Sequence, residues 1–328
     1  MSRVAIIGAG EFGTALSIAL NKRDRSITLW SIEPEVVQTL RRTRENVKYL
    51  QGFLISPSVH ITLDLGEALE DADAAVLCVP SSAVREVARQ VLQKIPEGAV
   101  LVSAALGLEE NTWLRMSQVI SEEMPPDLPL PIVAISGPCL ATEMARGSAS
   151  AVDVACESIQ AARRARHHLS SPRFHLKPSR DVAGVEASGT FKNAYAIGAG
   201  ICDGFGWGMN ARAAYLTRAL SEIARLASVL GARRITVYGL SGLGDLAVSS
   251  FSPHSRNRRL GEELAKGHSL REVLAGMVSV AEGVHAARAA HTLALQHRLR
   301  LPIAEALNAV LHDGADPRTL EKALSATR

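Results

Sequence analysis

The sequence predicts an α/β protein, with a Rossmann-type, mostly parallel sheet covered by helices and an all-helical second half. Short apolar runs alternate with amphipathic stretches in the first half, whereas the second half carries long helical periodicities. A GxGxxG pattern at residues 8–13 joins the first apolar run to a helix. The chain of 328 residues is long enough for two domains. We place the boundary at residue 182, which gives a dinucleotide-binding domain (1–182) and a helical substrate domain (183–328).

The strands expected in the first half are short, apolar and rich in β-branched residues. Runs of four to six such residues, separated by helical stretches, are typical of a parallel sheet that is buried on both faces. The expected strands are 3–7, 26–30, 74–79, 99–104 and 131–135. The proline-rich stretch 122–131 predicts a loop that leads into the last of them.

The second half reads as helices from about Val185 onward. Residues 213–230 place leucine and isoleucine at spacings of three and four, which predicts one buried helix that ends at Gly231. Four further helices are expected at 258–266, 269–276, 281–298 and 302–312.

Composition excludes several classes of protein. Hydrophobic residues make up 47% and charged residues 21%, as in ordinary globular proteins, and a net charge of +3 spread along the chain does not favour nucleic-acid binding. The four cysteines form no CxxC pair, so we expect reduced thiols in a cytoplasmic protein. We expect no signal peptide and no membrane span. The histidines show no HExxH spacing, so we expect no metal site.

The glycine pattern predicts a dinucleotide site. Gly8 permits a tight turn, Gly10 allows close approach of a pyrophosphate, and Gly13 permits close packing of helix on strand. The alternative is a glycine-rich turn that binds nothing. Glu11 adds a carboxylate that disfavours phosphate unless it points to solvent. The second strand and the residues after it read Leu-Trp-Ser-Ile-Glu (29–33). Ser31 and Ile32 are neither the acid usual in NAD enzymes nor the arginine usual in NADP enzymes, and Glu33 is expected beyond the strand, so NAD and NADP both stay open.

Several longer motifs follow the glycine pattern in order: NVKYL (46–50), SGPCLATEMARG (136–147), SGTFKNAYAIGAG (188–200), GLSGLGDL (239–246), SRNRR (255–259) and AEGV (281–284). Together they cover nearly the whole chain, which resembles the NAD(P)-dependent glycerol-3-phosphate dehydrogenase family in its bacterial form. The resemblance implies hydride transfer between NAD(P)H and dihydroxyacetone phosphate, which supplies glycerol 3-phosphate for phospholipid synthesis. It also implies an active site between the two domains and suggests a homodimer, which the sequence leaves undecided.

The resemblance implies that Lys192 is the acid/base, because it matches the lysine of the family's FKN motif. A lysine serves this purpose when burial or a neighbouring charge lowers its pKa, and the segment around Lys192 is apolar. The alternative is a lysine that extends from its helix into water. By the same match, Asp245 lies beside the lysine and binds the substrate hydroxyl; the alternative is a helix-capping carboxylate. Ser249 stands where the family usually has threonine and keeps a hydroxyl for the substrate.

The resemblance also implies a phosphate site built around Arg256, whose guanidinium suits a phosphate dianion. Arg258 and Arg259 are expected at the surface. The substrate-binding residues implied are Gly137, Asn193, Ser249, Ser255, Arg256 and Asn257. The cofactor-binding residues implied are Gly8, Gly10, Glu11, Phe12, Gly13, Ala141, Arg256, Val280 and Glu282.

The chain departs from the family pattern at Leu106, where the family has the lysine of a Lys-Gly pair. Loss of such a charge-assisted contact costs about 2–4 kcal/mol of transition-state binding. Cys139 replaces a serine and Phe12 replaces a tryptophan. Three hypotheses follow: a glycerol-3-phosphate dehydrogenase, which we favour, a dehydrogenase of the same fold for another anionic or phosphorylated carbonyl, and a catalytically silent nucleotide-binding paralogue.

Overall fold

The computed structural model describes residues 2–21, 24–277 and 281–325. The chain forms two compact units. One comprises the chain up to Ala105 together with Met116–Val182, and the other comprises Leu106–Arg115 together with the chain from Ala183 onward. The segment Leu106–Arg115 therefore leaves the first unit and packs with the second, which the sequence patterns do not reveal.

The first unit holds all ten strands of the described chain. They are β1 (Ser2–Ile7), β2 (Arg25–Trp30), β3 (Glu45–Asn46), β4 (Leu50–Leu54), β5 (His60–Thr62), β6 (Ala74–Leu77), β7 (Val100–Ser103), β8 (Ile132–Ser136), β9 (Ser150–Ala155) and β10 (Phe174–Ser179). Eight form one sheet in the order β10-β9-β8-β7-β6-β1-β2-β5, and β3 pairs with β4 separately. Every pair in the large sheet is parallel except β8 with β9, which is antiparallel.

The helices of the first unit cover both faces of the sheet. They are α1 (Glu11–Leu20), α2 (Pro34–Thr43), α3 (Leu65–Leu69), α4 (Val84–Leu92), α5 (Met116–Glu122), α6 (Ala141–Ala145) and α7 (Ile159–Leu169). Apolar side chains of α1, α2, α6 and α7 share one core with alternate strand residues such as Val4 and Val76. The intervening strand residues, such as Ile7 and Leu101, are also fully buried, and α3 and α5 contact the sheet. Burial on both faces explains why these strands read as continuous apolar runs.

After Ala183 the described residues of the second unit form helices joined by turns and loops. Its helices are α8 (Val182–Gly204), α9 (Gly208–Val229), α10 (Arg234–Val237), α11 (Asp245–Phe251), α12 (Arg256–Ala265), α13 (Leu270–Ala275), α14 (Glu282–Gln296), α15 (Pro302–His312) and α16 (Thr319–Ser325). A π-helical turn, Leu240–Gly244, leads into α11. Helix α8 is buried on all sides over most of its 23 residues, which makes it the centre of this unit.

The predicted fold class is confirmed: the predicted strands and helices are all present, with ends within a few residues of expectation. Gly231 follows α9 with φ of 84°, as expected for a glycine that ends a helix. The sequence analysis did not identify the β3–β4 hairpin, and it did not identify β5, β9 or β10. Within the described ranges, no helix combines the length and apolarity that crossing a membrane requires.

Candidate active site and cofactor loop

The lysine of the FKN motif lies in a buried cluster of three side chains. Lys192 Nζ donates hydrogen bonds to Asp245 Oδ1 and Ser249 Oγ, each at 3.0 Å. Ser249 Oγ in turn donates to Asp245 Oδ1 at 3.3 Å. The exposed fractions are 9% for Lys192 and 5% for both Asp245 and Ser249. The lysine thus ends on a carboxylate rather than in water, and the alternative of a lysine extending into solvent is wrong.

Local geometry explains how α11 presents these partners. Asp245 is the first residue of α11, the residue before it is Gly244, and the Asp245 carboxylate points to Lys192 rather than capping the helix. Ser249 lies four residues on, which is one turn along the same face. Burial raises the pKa of Asp245, and the charge of Lys192 with the hydrogen bonds from Lys192 and Ser249 offsets part of that rise. The cluster holds one proton-bearing amine next to one carboxylate.

The asparagines of the site form a second, adjoining chain of hydrogen bonds. Asn257 Nδ2 donates to Asn193 Oδ1 at 3.0 Å, and the backbone N–H of Gly283 donates to Asn257 Oδ1 at 3.2 Å. Asn193 Nδ2 donates to the carbonyl of Gly189 at 3.3 Å. A Cβ on Gly283 would lie 2.6 Å from the Asn193 carbonyl oxygen, so only glycine allows this approach of α14 to α8. Both asparagines therefore join helices, beyond the ligand role that the resemblance implies.

The start of α12 carries the expected phosphate ligands. Ser255 is the N-cap of α12, and its Oγ accepts the backbone N–H of Arg258 at 3.3 Å. Arg256 is the first residue of the helix and is exposed. The expectation of a surface Arg258 is wrong: its side chain is 17% exposed, and its Nε donates to Asp203 Oδ2 at 2.6 Å. Local patterns of apolar and charged residues cannot reveal this pairing, because Asp203 lies 55 residues earlier in the chain.

The segment Leu106–Arg115 is fixed to the second unit by specific contacts. Leu108 belongs to the core of that unit, and Trp113 packs against it. Arg115 Nη1 pairs with Glu186 Oε2 of α8 at 2.7 Å, with side-chain exposures of 15% and 3%. Leu106, half-buried, begins this segment. Leu106 is thus part of the same compact unit as Lys192 and Asp245.

The glycine loop of the first unit fits a dinucleotide. A Cβ on Gly8, which has φ of 117°, would lie 2.6 Å from the Cys78 carbonyl oxygen, and a Cβ on Gly13 would lie 1.9 Å from the Gly8 carbonyl oxygen. Gly10, the N-cap of α1, has no protein atom within 4 Å of its Cβ position and no side chain caps it. Open space at an uncapped helix N-terminus is what a pyrophosphate needs. Glu11 lies in the first turn of α1 and is half-buried.

Asn46, a residue of β3, contacts this loop. The sequence analysis missed it, although its motif NVKYL was recognised. Its Nδ2 donates to the carbonyl of Ala9 and to Thr14 Oγ1, both at 2.8 Å, and the side chain is buried. It therefore ties the hairpin to the glycine loop. The sequence signal for Asn46 is its place as the polar first residue of the NVKYL motif, to which no ligand role was assigned.

A second group follows β2, of which the sequence analysis considered Glu33 but not its partners Lys48 and Tyr49. Glu33 Oε1 accepts the phenol of Tyr49 at 2.7 Å, and Glu33 Oε2 pairs with Lys48. The hydrogen bonds to Glu33 raise the pKa of Lys48, an exposed group. Glu33 is the N-cap residue of α2. In NAD enzymes the acid that binds the ribose lies in a similar part of the sequence, near the end of the second strand.

The remaining expected ligands lie in the places that follow. Gly137 comes directly after β8, and a Cβ there would lie 2.8 Å from the Val152 Cα. Ala141 begins α6, Phe12 packs on the core of the first unit, and Glu282 begins α14. Val280 lies outside the described residues. Residues 2–21, 24–277 and 281–325 contain no group of three or more potential metal ligands.

Comparisons with known proteins match both units. Residues 3–162 match the family model described as NAD-dependent glycerol-3-phosphate dehydrogenase N-terminus, and residues 181–322 match the corresponding C-terminus. A glycerol-3-phosphate dehydrogenase [NAD(P)+] of Pelotomaculum thermopropionicum is 44% identical over 96% of this chain and 90% of its own length. The protein of that name from Bacillus subtilis is 38% identical over 99% of this chain and 94% of its own.

A solved structure agrees with these matches. The crystal structure of glycerol-3-phosphate dehydrogenase from Coxiella burnetii superposes with a TM-score of 0.91 at 33% identity. It covers 99% of this chain, which covers 98% of that one. The chain belongs to the NAD-dependent glycerol-3-phosphate dehydrogenase family.

Proposed function

We propose that this protein interconverts sn-glycerol 3-phosphate and dihydroxyacetone phosphate by hydride transfer with NAD(P)H. The observation that carries the proposal is the buried Lys192 amine, 3.0 Å from both Asp245 Oδ1 and Ser249 Oγ. Reduction of a ketone needs one proton donor at the developing alkoxide, and a buried lysine fixed by a carboxylate supplies it. The names of the relatives support the same reaction.

In the direction of reduction, bound NAD(P)H supplies the hydride that C2 of dihydroxyacetone phosphate accepts. Lys192 donates a proton from Nζ to the C2 oxygen, which becomes the hydroxyl of glycerol 3-phosphate. In the opposite direction Lys192 takes that proton back. Asp245 stabilises the ammonium form of Lys192 and accepts a hydrogen bond from the substrate hydroxyl, while the Ser249 hydroxyl orients both groups.

The substrate phosphate is bound at the start of α12. Arg256 supplies the guanidinium, and Ser255 and the backbone N–H of Gly137 supply neutral donors. Asn193 and Asn257 each use one amide hydrogen within the unit, and each amide carries a second hydrogen for the substrate. In this proposal residues 1–182 supply most of the cofactor contacts and residues 183–328 supply most of the substrate contacts.

NAD or NADP is held by the glycine loop. Gly8, Gly10 and Gly13 accommodate the pyrophosphate, with Glu11 and Phe12 beside it. Ala141, Arg256, Val280 and Glu282 complete the set of proposed contacts. The open Cβ position of Gly10 supports this assignment for the loop.

The test measures oxidation of NADH and of NADPH with dihydroxyacetone phosphate in the wild type and in Lys192→Met. The variant removes the proton donor while keeping the length of the side chain, so kcat should fall by about 100- to 10,000-fold. Lys177→Met, at an exposed position of β10, is the matched control and should keep wild-type rates. The ratio of the NADH and NADPH rates identifies the cofactor.

Unchanged kcat in Lys192→Met would contradict the role of Lys192. Wild-type turnover of another anionic ketone, with none of dihydroxyacetone phosphate, would instead favour the second hypothesis, a dehydrogenase of the same fold with a different substrate. Leu106 is the observation that favours it, because an apolar side chain replaces a cation in the unit that holds the site. Cofactor binding without any turnover would favour the silent paralogue.

We further propose that the protein acts in the cytoplasm as a homodimer and supplies glycerol 3-phosphate for phospholipid synthesis. The four cysteines are all free thiols, which suits a reducing compartment. Exposed apolar side chains of the second unit, such as Met209 and Ile235, support self-association. Sedimentation equilibrium tests the dimer, and a monomer at micromolar concentration would contradict it.

A further inference from the structure

Asp203 lies near the C-terminal end of α8 and binds two arginines from different helices. Its Oδ1 accepts Arg212 Nη1 at 2.9 Å, and its Oδ2 accepts Arg258 Nε at 2.6 Å. The exposed fractions of the three side chains are between 13% and 17%, so water competes little for these contacts. Asp203 follows Lys192 by eleven residues on α8, about three turns, which places both on one side of the helix.

Arg212 connects Asp203 to the helix that carries the partners of Lys192. It lies in the first turns of α9, and its Nη2 donates to the carbonyl of Ser250, next to Ser249. Its guanidinium also lies 4.5 Å from the centre of the Phe251 ring. Cations stabilise the C-terminal end of a helix, where carbonyls lack partners. Arg212 therefore fixes the end of α11 relative to α8.

Arg258 connects Asp203 to the helix that carries the proposed phosphate ligand. It lies in the first turn of α12, two residues after Arg256, and its Nη1 also pairs with Glu262 at 3.5 Å. The two helices are in close contact: a Cβ on Gly200 would lie 1.8 Å from the Arg258 carbonyl oxygen, and one on Gly261 would lie 1.8 Å from the Ile197 carbonyl oxygen. Such close packing allows α8 and α12 little sliding along each other. Asp203 and Arg258 therefore pair at one fixed alignment of the two helices.

We infer that Asp203 is a positioning residue of the active site, acting through Arg212 on α11 and through Arg258 on α12. One carboxylate thereby sets the distance from Lys192 to Asp245 and Ser249 and the place of Arg256. The inference rests on the proposed function for its kinetic consequences, but its geometric consequence at Lys192 does not depend on turnover. The two arms act on different steps, because α11 holds the proton donor's partners and α12 holds the phosphate ligand.

The two arms predict different kinetic losses. Arg212→Gln frees the end of α11, so kcat should fall about 10- to 100-fold and the pH–rate profile should shift, with KM for dihydroxyacetone phosphate within threefold of wild type. Arg258→Gln frees the start of α12, so KM should rise about 10-fold with kcat nearly unchanged. Asp203→Asn should show both losses, and Asp203→Glu should recover part of each. Arg259→Gln, exposed and adjacent to Arg258, is the matched control.

A readout independent of turnover is the rate at which acetic anhydride labels the Lys192 amine, followed by mass spectrometry. Loosening of α11 removes acceptors from Nζ, so labelling should rise at least fivefold in Arg212→Gln and Asp203→Asn but not in Arg259→Gln. The inference is overturned if the folded Arg212 and Asp203 variants keep wild-type Lys192 labelling, or if both arms change kcat and KM alike. Absent wild-type turnover with the expected labelling pattern would contradict the proposed function and leave the positioning role supported.

Discussion

The side-chain amide of Asn46 donates a 2.8 Å hydrogen bond to the carbonyl of Ala9, inside the glycine loop. The same amide donates to Thr14 Oγ1, so one buried group holds both the turn and the helix that follows it. Ala9 lies between Gly8 and Gly10 of this loop. The β3–β4 hairpin thus determines the shape of the loop from outside the GxGxxG pattern.

Replacement of Asn46 should therefore weaken cofactor binding. Asn46→Ala removes the 2.8 Å hydrogen bond to the Ala9 carbonyl and leaves it only the longer one from Thr14 Oγ1, at 3.4 Å. This loss costs about 1–3 kcal/mol. We expect Kd for NADH and NADPH, measured by fluorescence titration, to rise about 5- to 100-fold. Asn210→Ala, at an exposed position of α9, is the control and should bind as the wild type does. Equal affinities in both variants would show that the hydrogen bond has no role in binding.

Glu222 should be a major determinant of stability in the helical unit. Its buried carboxylate accepts the Tyr195 phenol at 2.9 Å and the backbone N–H groups of Ile303 and Ala304, both at 3.0 Å. The N–H groups of Ile303 and Ala304 lie in the first turn of α15, where they have no acceptor within the helix. Glu222, a residue of α9, therefore caps α15. Glu222→Ala should lower the free energy of unfolding by about 2–4 kcal/mol.

The check is urea unfolding of Glu222→Ala, Glu222→Gln and Glu321→Ala. Glutamine keeps one acceptor oxygen and should lose less stability than alanine. Glu321 is exposed, and its replacement should change stability by less than about 0.5 kcal/mol. Similar unfolding midpoints for all three variants would contradict the capping role of Glu222.

Cys202 should make the free energy of unfolding depend on pH in the alkaline range. Burial, helped by the charge of Asp203, raises the pKa of the Cys202 thiol from 9.0 to about 12. Between these values the unfolded chain loses the thiol proton while the folded chain keeps it, so stability is full below pH 9 and falls as pH rises. The loss approaches about 1.4 kcal/mol per pH unit.

The measurement is the free energy of unfolding at pH 8 and pH 10, in a reducing buffer, for the wild type and Cys202→Ala. The wild type should lose about 1.4 kcal/mol more over this interval than the variant, whatever their stabilities at pH 8. A wild-type slope retained in Cys202→Ala would assign the pH effect to other groups.

Sequence patterns predicted those parts of the fold that depend on local periodicity. The strands were recognisable because burial on both faces leaves runs such as VAII and AAVL without polar residues. Lys192 and Asp245 were recognisable by their match to the family's motifs, and the apolar segments around them supported that assignment. Their mutual distance of 3.0 Å depends on how α8 and α11 pack, which periodicity does not encode.

Long-range polar pairs could not be predicted. Arg258 lies in a run of arginines that resembles a solvated helix start, and only the approach of Asp203 from α8 buries it. Arg115 and Glu186 are 71 residues apart, so nothing local marks Leu106–Arg115 as part of the second unit. At the Asp203–Arg258 pair the backbones of α8 and α12 approach closely at Gly200 and Gly261, where the missing side chain is the sequence signal.

Leu106→Lys should increase the rate of the proposed reaction. The substitution places a cation where the resemblance to the family implies a lysine, in the unit that contains Lys192. A charge-assisted contact to the carbonyl oxygen is worth about 2–4 kcal/mol in the transition state, so kcat/KM should rise by about 30- to 1000-fold. Leu54→Lys, the same change at an exposed position, controls for added charge alone. A stable Leu106→Lys variant with no gain in kcat/KM would mean that residue 106 does not reach the substrate. The remaining groups around Lys192 would then already stabilise the developing charge.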